Sequence, residues 1–190
     1  MTQASDYENL LRVCRSRKSC RSFSARPVAR ECLDKIVELA ATSPYASGSK
    51  AWELEVITDR EKITALAGAV RRRCTELGNN ADPDFRKEFL EYSRSFTAFE
   101  TAPAVLIPAF KDRRTISLAL PGRGLESFER DNSVKSISCV SMLALLAAES
   151  LGLAACYMTG PLLAAGEIAK IAGLRQGREP GALIPIGYKG

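Results

Sequence analysis

The chain has 190 residues, enough for one domain spanning 1–190 and cramped for two independent cores. Apolar residues at 46% and charged residues at 26% exclude a disordered or collagen-like chain, and a formal net charge of +5 favours anionic partners. Histidine is absent and the six cysteines contain no CxxC pair, so Ser-His-Asp and Cys-His systems, His-based metal sites and zinc or thioredoxin-type motifs have no support. Reduced thiols are expected, no metal site is expected, and any chemistry falls to a bound cofactor rather than to a catalytic side chain. The first residues show no secretory signal pattern, and no apolar run reaches the roughly 20 residues of a membrane span, so a cytoplasmic protein without a membrane partner is expected.

Taken in chain order, apolar residues from Tyr7 to Val13 recur at helical spacing, and a second helix follows Pro27 with Cys32, Leu33, Ile36, Val37, Leu39 and Ala40 on one face. Between them lies the basic segment SRKSCRSFSARP, part of a cluster holding Arg12, Arg15, Arg17, Lys18, Arg21, Arg26 and Arg30. Trp52, Leu54 and Val56 alternate with Glu53 and Glu55, giving a half-buried strand, and Asp59 can cap a helix over Ile63 to Cys74. Phe85, Phe89, Tyr92, Phe96 and Phe99 follow at helical spacing; core or subunit packing suits them, and a stacking surface for a ligand is the alternative. Ala104 to Phe110 is a continuous apolar strand. Lys111 to Arg130, with Pro121, Gly122 and Gly124, reads as an irregular connection or lid. A long apolar helix from about Val134 to Leu151 stops at Gly152, followed by a strand (154–158), a TGP loop, a helix (163–172) and a closing strand (182–188). Four unevenly spaced strands do not meet the alternation of a doubly wound sheet. The expected class is α+β, or an α/β-type sandwich, with a mixed, mainly antiparallel sheet flanked by helices.

Arg17, Lys18, Ser19, Cys20 and Arg21 combine three cations, a hydroxyl and backbone N–H groups at a helix end, the donors a phosphate monoester takes. A solvated basic face and a nucleic-acid surface are the alternatives, though no nucleic-acid motif accompanies the charge. Ser43 to Trp52, SPYASGSKAW, is a loop of small residues before a strand, and Tyr157 to Pro161, YMTGP, is a loop at a strand end.

Together these segments resemble the nitroreductase family of flavin mononucleotide (FMN) enzymes. RKSCRSF resembles its RRSxRxF motif, Pro44 and Trp52 fall at the separation of its APSxxNxQPW loop, LLAAESLGLAACYMTGP is similar to LLAAxxLGLGSxWxGG, and ALIPIGY to its closing strand. The resemblance implies FMN, a homodimer with flavin at the interface, electrons from NADH or NADPH, and a nitroaromatic, quinone or similar electron-poor acceptor. Carried over, Arg17, Lys18, Ser19 and Arg21 hold the phosphate and the pyrimidine edge, Arg21 being the cation that stabilises reduced flavin. Pro44, Tyr45, Ala46 and Ser47 of the partner subunit lie along the ring, Met158, Thr159 and Gly160 approach N5, and Lys189 adds a phosphate contact. Gly48, Lys50 and Ala51 stand where the family has Asn, Gln and Pro; Lys50 is either a donor to the pyrimidine carbonyls or solvent-facing. A flavin-binding sensor or storage protein with little turnover is the alternative that this loop motivates.

Overall fold

In the computed structural model, which describes residues 5–45, 51–111 and 116–190, the elements follow from local signals in the chain. Ser5 opens α1 (Asp6–Ser16) by accepting the Glu8 N–H at 3.2 Å, with Asp6 and Glu8 in the first turn and Arg15 in the last, as the helix dipole favours. α2 (Arg30–Ala40) buries Leu33, Ile36 and Ala40, a narrower face than expected because Leu39 points to solvent. After β1 (Trp52–Ile57), the Asp59 carboxylate accepts the amides of Glu61 and Lys62 and starts α3 (Arg60–Asn79), longer at both ends than the apolar spacing suggests. Asp82 caps α4 (Pro83–Ser93), and the chain then tightens into a 3-10 helix (Arg94–Thr101). The order continues with β2 (Ala104–Lys111), a short α5 (Ile116–Ala119), α6 (Leu125–Ser150), β3 (Ala154–Ala155), a second 3-10 helix (Gly160–Ala164), α7 (Ala165–Ala172), β4 (Arg178–Pro180) and β5 (Ile184–Gly187).

β2 is the sheet's central strand. β1 pairs along one edge, Trp52 opposite Phe110 and Ile57 opposite Val105, while β5 and β4 share the other, Val105 facing Pro185 and Ala109 facing Pro180. β3 pairs with β5, and all these ladders are antiparallel. A parallel bridge from Ser19 to Ala155 continues the sheet beyond β3 and makes it mixed. Because β2 is covered on both faces, it reads as an unbroken apolar run rather than an alternating one.

Successive β2 residues feed two cores. Ala104, Leu106 and Phe110 pack with Leu33 and Ile36 of α2 and with Ile137, Val140 and Ala144 of α6. Val105 and Ile107 pack with Ile63 and Leu66 of α3, Phe99 of the first 3-10 helix and Ile168 of α7. The sheet is therefore a middle layer between two helical layers, the expected α+β arrangement. By length and composition α6 is apolar enough to cross a membrane, but here Ile137, Val140, Ala144, Leu145 and Ala148 are buried against the sheet and α2.

Three expectations are corrected. The strand 182–188 is preceded by a separate one, β4, which lacks an apolar pattern and is fixed by pairing to β2. α6 begins at Leu125, directly after Gly124 at φ 85, so the second half of the supposed irregular connection is helix. The aromatic stripe is not one face of one helix: the switch to 3-10 winding at Arg94 buries Phe96 and Phe99 while leaving Phe85 and Tyr92 exposed.

Candidate functional site

The basic segment leaves α1 as extended chain and is stitched to the sheet. Cys20 N–H donates to the Ala155 carbonyl at 3.0 Å, Ser24 N–H to Tyr188 O at 2.9 Å, and Gly190 N–H to Ser22 O at 3.1 Å. Residues 19–24 thus run between β3 and the continuation of β5, where Phe23 bridges Lys189. This brings Lys18, Ser19, Arg21, Met158–Gly160 and Lys189, distant in sequence, to one end of the sheet.

Two recesses open there. One, of about 400 Å³, is lined by Lys18, Ser19 and Lys189 together with Ser16, Cys20, Glu149 and the turn at Gly152. The other, of about 200 Å³, is lined by Arg21, Met158, Thr159 and Gly160 with Tyr92, Ser95, Phe96, Tyr157 and Pro161. Arg17 lines neither; it is half-buried at the C-cap of α1, where its N–H donates to Val13 O. Pro44 is exposed and Tyr45 packs against the α2/α6 core, so the structure does not bring them to either recess. Ala46, Ser47 and Lys50 lie outside the described residues.

Charge is uneven across the basic cluster. Arg30 pairs with Asp34 at 2.9 Å, and the Arg26 guanidinium lies 4.0 Å from the centre of the Tyr188 ring. Arg17, Lys18, Arg21 and Lys189 make no ion pair among the described residues. Lys18, Arg21 and Lys189, at one end of the sheet and without carboxylate partners among the described residues, attract an anion.

The loop after β3 adds amide donors. Met158 and Leu183 exchange both backbone hydrogen bonds, at 3.0 and 2.9 Å, which fixes the strand as far as Met158. Thr159 and Gly160 then begin a 3-10 helix, and no acceptor meets their N–H groups among the described residues. Gly160 is required by packing: a Cβ there would lie 2.4 Å from Phe96 Cδ1. Cations, a hydroxyl and free amides around open recesses fit a phosphate-bearing ligand with a polar ring, the donor set that FMN requires.

Among the described residues no group of three metal-ligating side chains is present, and all six cysteines are unpaired thiols. Burial pushes the Cys74 thiol up, against a smaller opposing hydrogen bond from Ser93, so it resists ionisation. Cys156 is buried in the sheet. The residues that sequence reasoning missed are Tyr92, Ser95 and Phe96; the aromatic spacing marked two of them, but only the structure sets Phe96 against Gly160 and Tyr92 in the same recess.

The fold and sequence have relatives. By sequence, the chain is 27% identical over 185 residues to iodotyrosine deiodinase 1 of Rattus norvegicus, an alignment covering 90% of this chain; the chain spans 59% of that protein's length. By structure, it is similar to a BluB-like flavoprotein from Clostridium difficile 630, with TM-score 0.84, 20% identity, and coverage of 95% of this chain and 90% of that one. A nitroreductase with bound FMN from Desulfitobacterium hafniense superposes with TM-score 0.75 at 19% identity, covering 100% of this chain and 90% of that one. The Nitroreductase family profile matches residues 14–188, spanning the basic segment at 17–21, the loop at 158–160 and all five strands: this chain belongs to the nitroreductase family.

Proposed function

We propose that the chain, as one domain, binds FMN and acts as an oxidoreductase that passes a hydride from NADH or NADPH to a nitroaromatic, quinone or similar electron-poor acceptor. The observation that carries this reading is Arg21, without a carboxylate partner among the described residues, in one recess with the amides of Thr159 and Gly160, next to a second recess that holds Lys18 and Lys189, in a nitroreductase-family chain. When bound, FMN supplies the centre that accepts and donates the hydride. Arg17, Lys18, Ser19 and Lys189 hold the phosphate, and the Arg21 guanidinium neutralises negative charge at the pyrimidine edge. With Met158 pinned to Leu183, the amides of Thr159 and Gly160, which meet no acceptor among the described residues, would donate to the reactive edge of the ring.

The same reading makes the chain a cytoplasmic homodimer with flavin at the interface, each subunit offering Pro44, Tyr45, Ala46, Ser47 and Lys50 to the other. Exposed Tyr7 and Leu10 on α1 and Phe128, Val134 and Met142 on α6, two helices in contact with each other, support this. The 27% identity to an iodotyrosine deiodinase favours a second reading, in which the acceptor is a halogenated phenol and the outcome is reductive dehalogenation.

The test is the visible spectrum of the purified protein, with the released chromophore identified by mass, followed by NADH and NADPH oxidation with a nitroaromatic, a quinone and a halogenated tyrosine. Released FMN with turnover of one acceptor class selects between the two readings. A colourless protein that takes up no added FMN refutes both.

A further inference from the structure

We propose that Tyr92, together with Tyr157, forms an aromatic rim that makes the site selective for planar aromatic acceptors; this rests on the FMN-dependent reading above. Both tyrosines line the recess that holds Arg21, Thr159 and Gly160, and they come from different elements, the last turn of α4 and the end of the β3 extension. Tyr92 is 67% exposed and Tyr157 37%. A large exposed aromatic is by itself unremarkable. Tyr92 differs in being held: its ring meets Phe96 edge-to-face at 5.0 Å and 82°, and Phe96 is buried with its ring in the space that a Cβ of residue 160 would occupy.

The position of Tyr92 is thus tied through one buried ring to the glycine whose amide faces the recess. An edge-to-face pair with one partner this exposed leaves ring surface open for a third aromatic group, which gains most by offset stacking. Phe85, on the same helix, supplies an internal comparison. It is 54% exposed and pairs with Phe89 at 6.0 Å, yet it lines neither recess. Both positions carry an exposed aromatic ring, and Tyr92 differs in lining the recess and in its contact with Phe96.

The experiment compares FMN-loaded wild type, Tyr92→Ala, Tyr92→Phe and Phe85→Ala, with NADH as donor and either planar 1,4-naphthoquinone or octahedral ferricyanide as acceptor. Naphthoquinone is also titrated against each oxidised holoprotein by quenching of flavin fluorescence. Tyr92→Ala is expected to raise the naphthoquinone KM and Kd about tenfold, the size of one aromatic stacking contact, while ferricyanide kcat/KM stays within about twofold. Tyr92→Phe keeps the wild-type values because the ring does the stacking, and Phe85→Ala behaves as wild type. An equal shift for both acceptors, or a Tyr92→Ala variant indistinguishable from Phe85→Ala, overturns the rim. A holoprotein that reduces neither acceptor overturns the enzymatic reading while the titration still decides the role of Tyr92. Failure to take up FMN overturns both.

Discussion

Arg21 stands where charge matters, exposed, without a carboxylate partner, in the recess with Thr159 and Gly160. In the proposed FMN site its loss would remove a charge-assisted contact of about 1.5–3 kcal/mol, so Arg21→Ala is expected to weaken FMN binding by about ten- to a hundredfold. Equilibrium dialysis of the flavin checks this, and unchanged retention together with an unchanged rate of flavin reduction would remove Arg21 from the site. Gly160 is constrained by shape, not by charge. Gly160→Ala drives a methyl group into the Phe96 ring, and because that ring is buried against the α3 core the strain is expected to cost about 1–3 kcal/mol in urea unfolding. Shrinking the ring in a Gly160→Ala, Phe96→Leu double variant should recover part of the loss.

Asp59 shows how one side chain sets an element. Its Oδ1 accepts two amides at the start of α3, at 2.8 and 3.3 Å, and α3 gives Ile63, Leu66, Ala67, Val70 and Cys74 to one core layer. Asp59→Ala is expected to destabilise the fold by about 1 kcal/mol, lowering Tm by about 2–4 °C in calorimetry. A second link joins α3 to the first 3-10 helix: Arg71 donates to both Glu100 oxygens, at 2.6 and 3.1 Å, while the Arg60 guanidinium donates to the carbonyls of Glu100 and Ala102. The Arg71 hydrogen bonds hold the Glu100 carboxyl below its ordinary value of 4.5, burial opposes them, and the charges of Arg71 and Arg60 assist. The unfolded chain therefore binds this proton first as pH falls. The stabilisation is complete at neutral pH and is lost as pH drops through the depressed folded value, so Glu100→Gln should flatten the decline in stability below about pH 4.5 measured by urea unfolding.

At the scale of the molecule, the layered sheet gathers three separate stretches of chain at one end, and the helices on one face present an apolar surface. In the proposed homodimer that surface is the interface. Met142 on α6 is 50% exposed, and Met142→Arg would bury an unpaired charge in the contact. Light scattering of the variant is expected to report a monomer, with FMN retention falling alongside; a dimer that survives the change places the interface elsewhere.

Local rules made much of this legible from the sequence. The alternation of Trp52, Leu54 and Val56 gave β1 its core face, the cap at Asp59 placed α3, the left-handed Gly152 ended α6, and the unbroken apolar run placed β2. Each of these depends on neighbours within a few residues. The basic segment 17–21 was legible from its charge as an anion site, whereas its grouping with 158–160 in the proposed site came from the family's motifs, since no local signal says that such distant segments meet. What tertiary structure alone decided is of another kind. β4 is a strand because β2 offers it an edge, and the basic cluster splits because Asp34 and Tyr188 engage Arg30 and Arg26 while other cations stay unpaired. Phe96 meets Gly160 from the 3-10 helix that begins at Arg94, a switch that a spacing of four and three residues does not distinguish from a continuous α-helix. Periodicity reports which side chains share a face, and only long-range packing determines what that face meets.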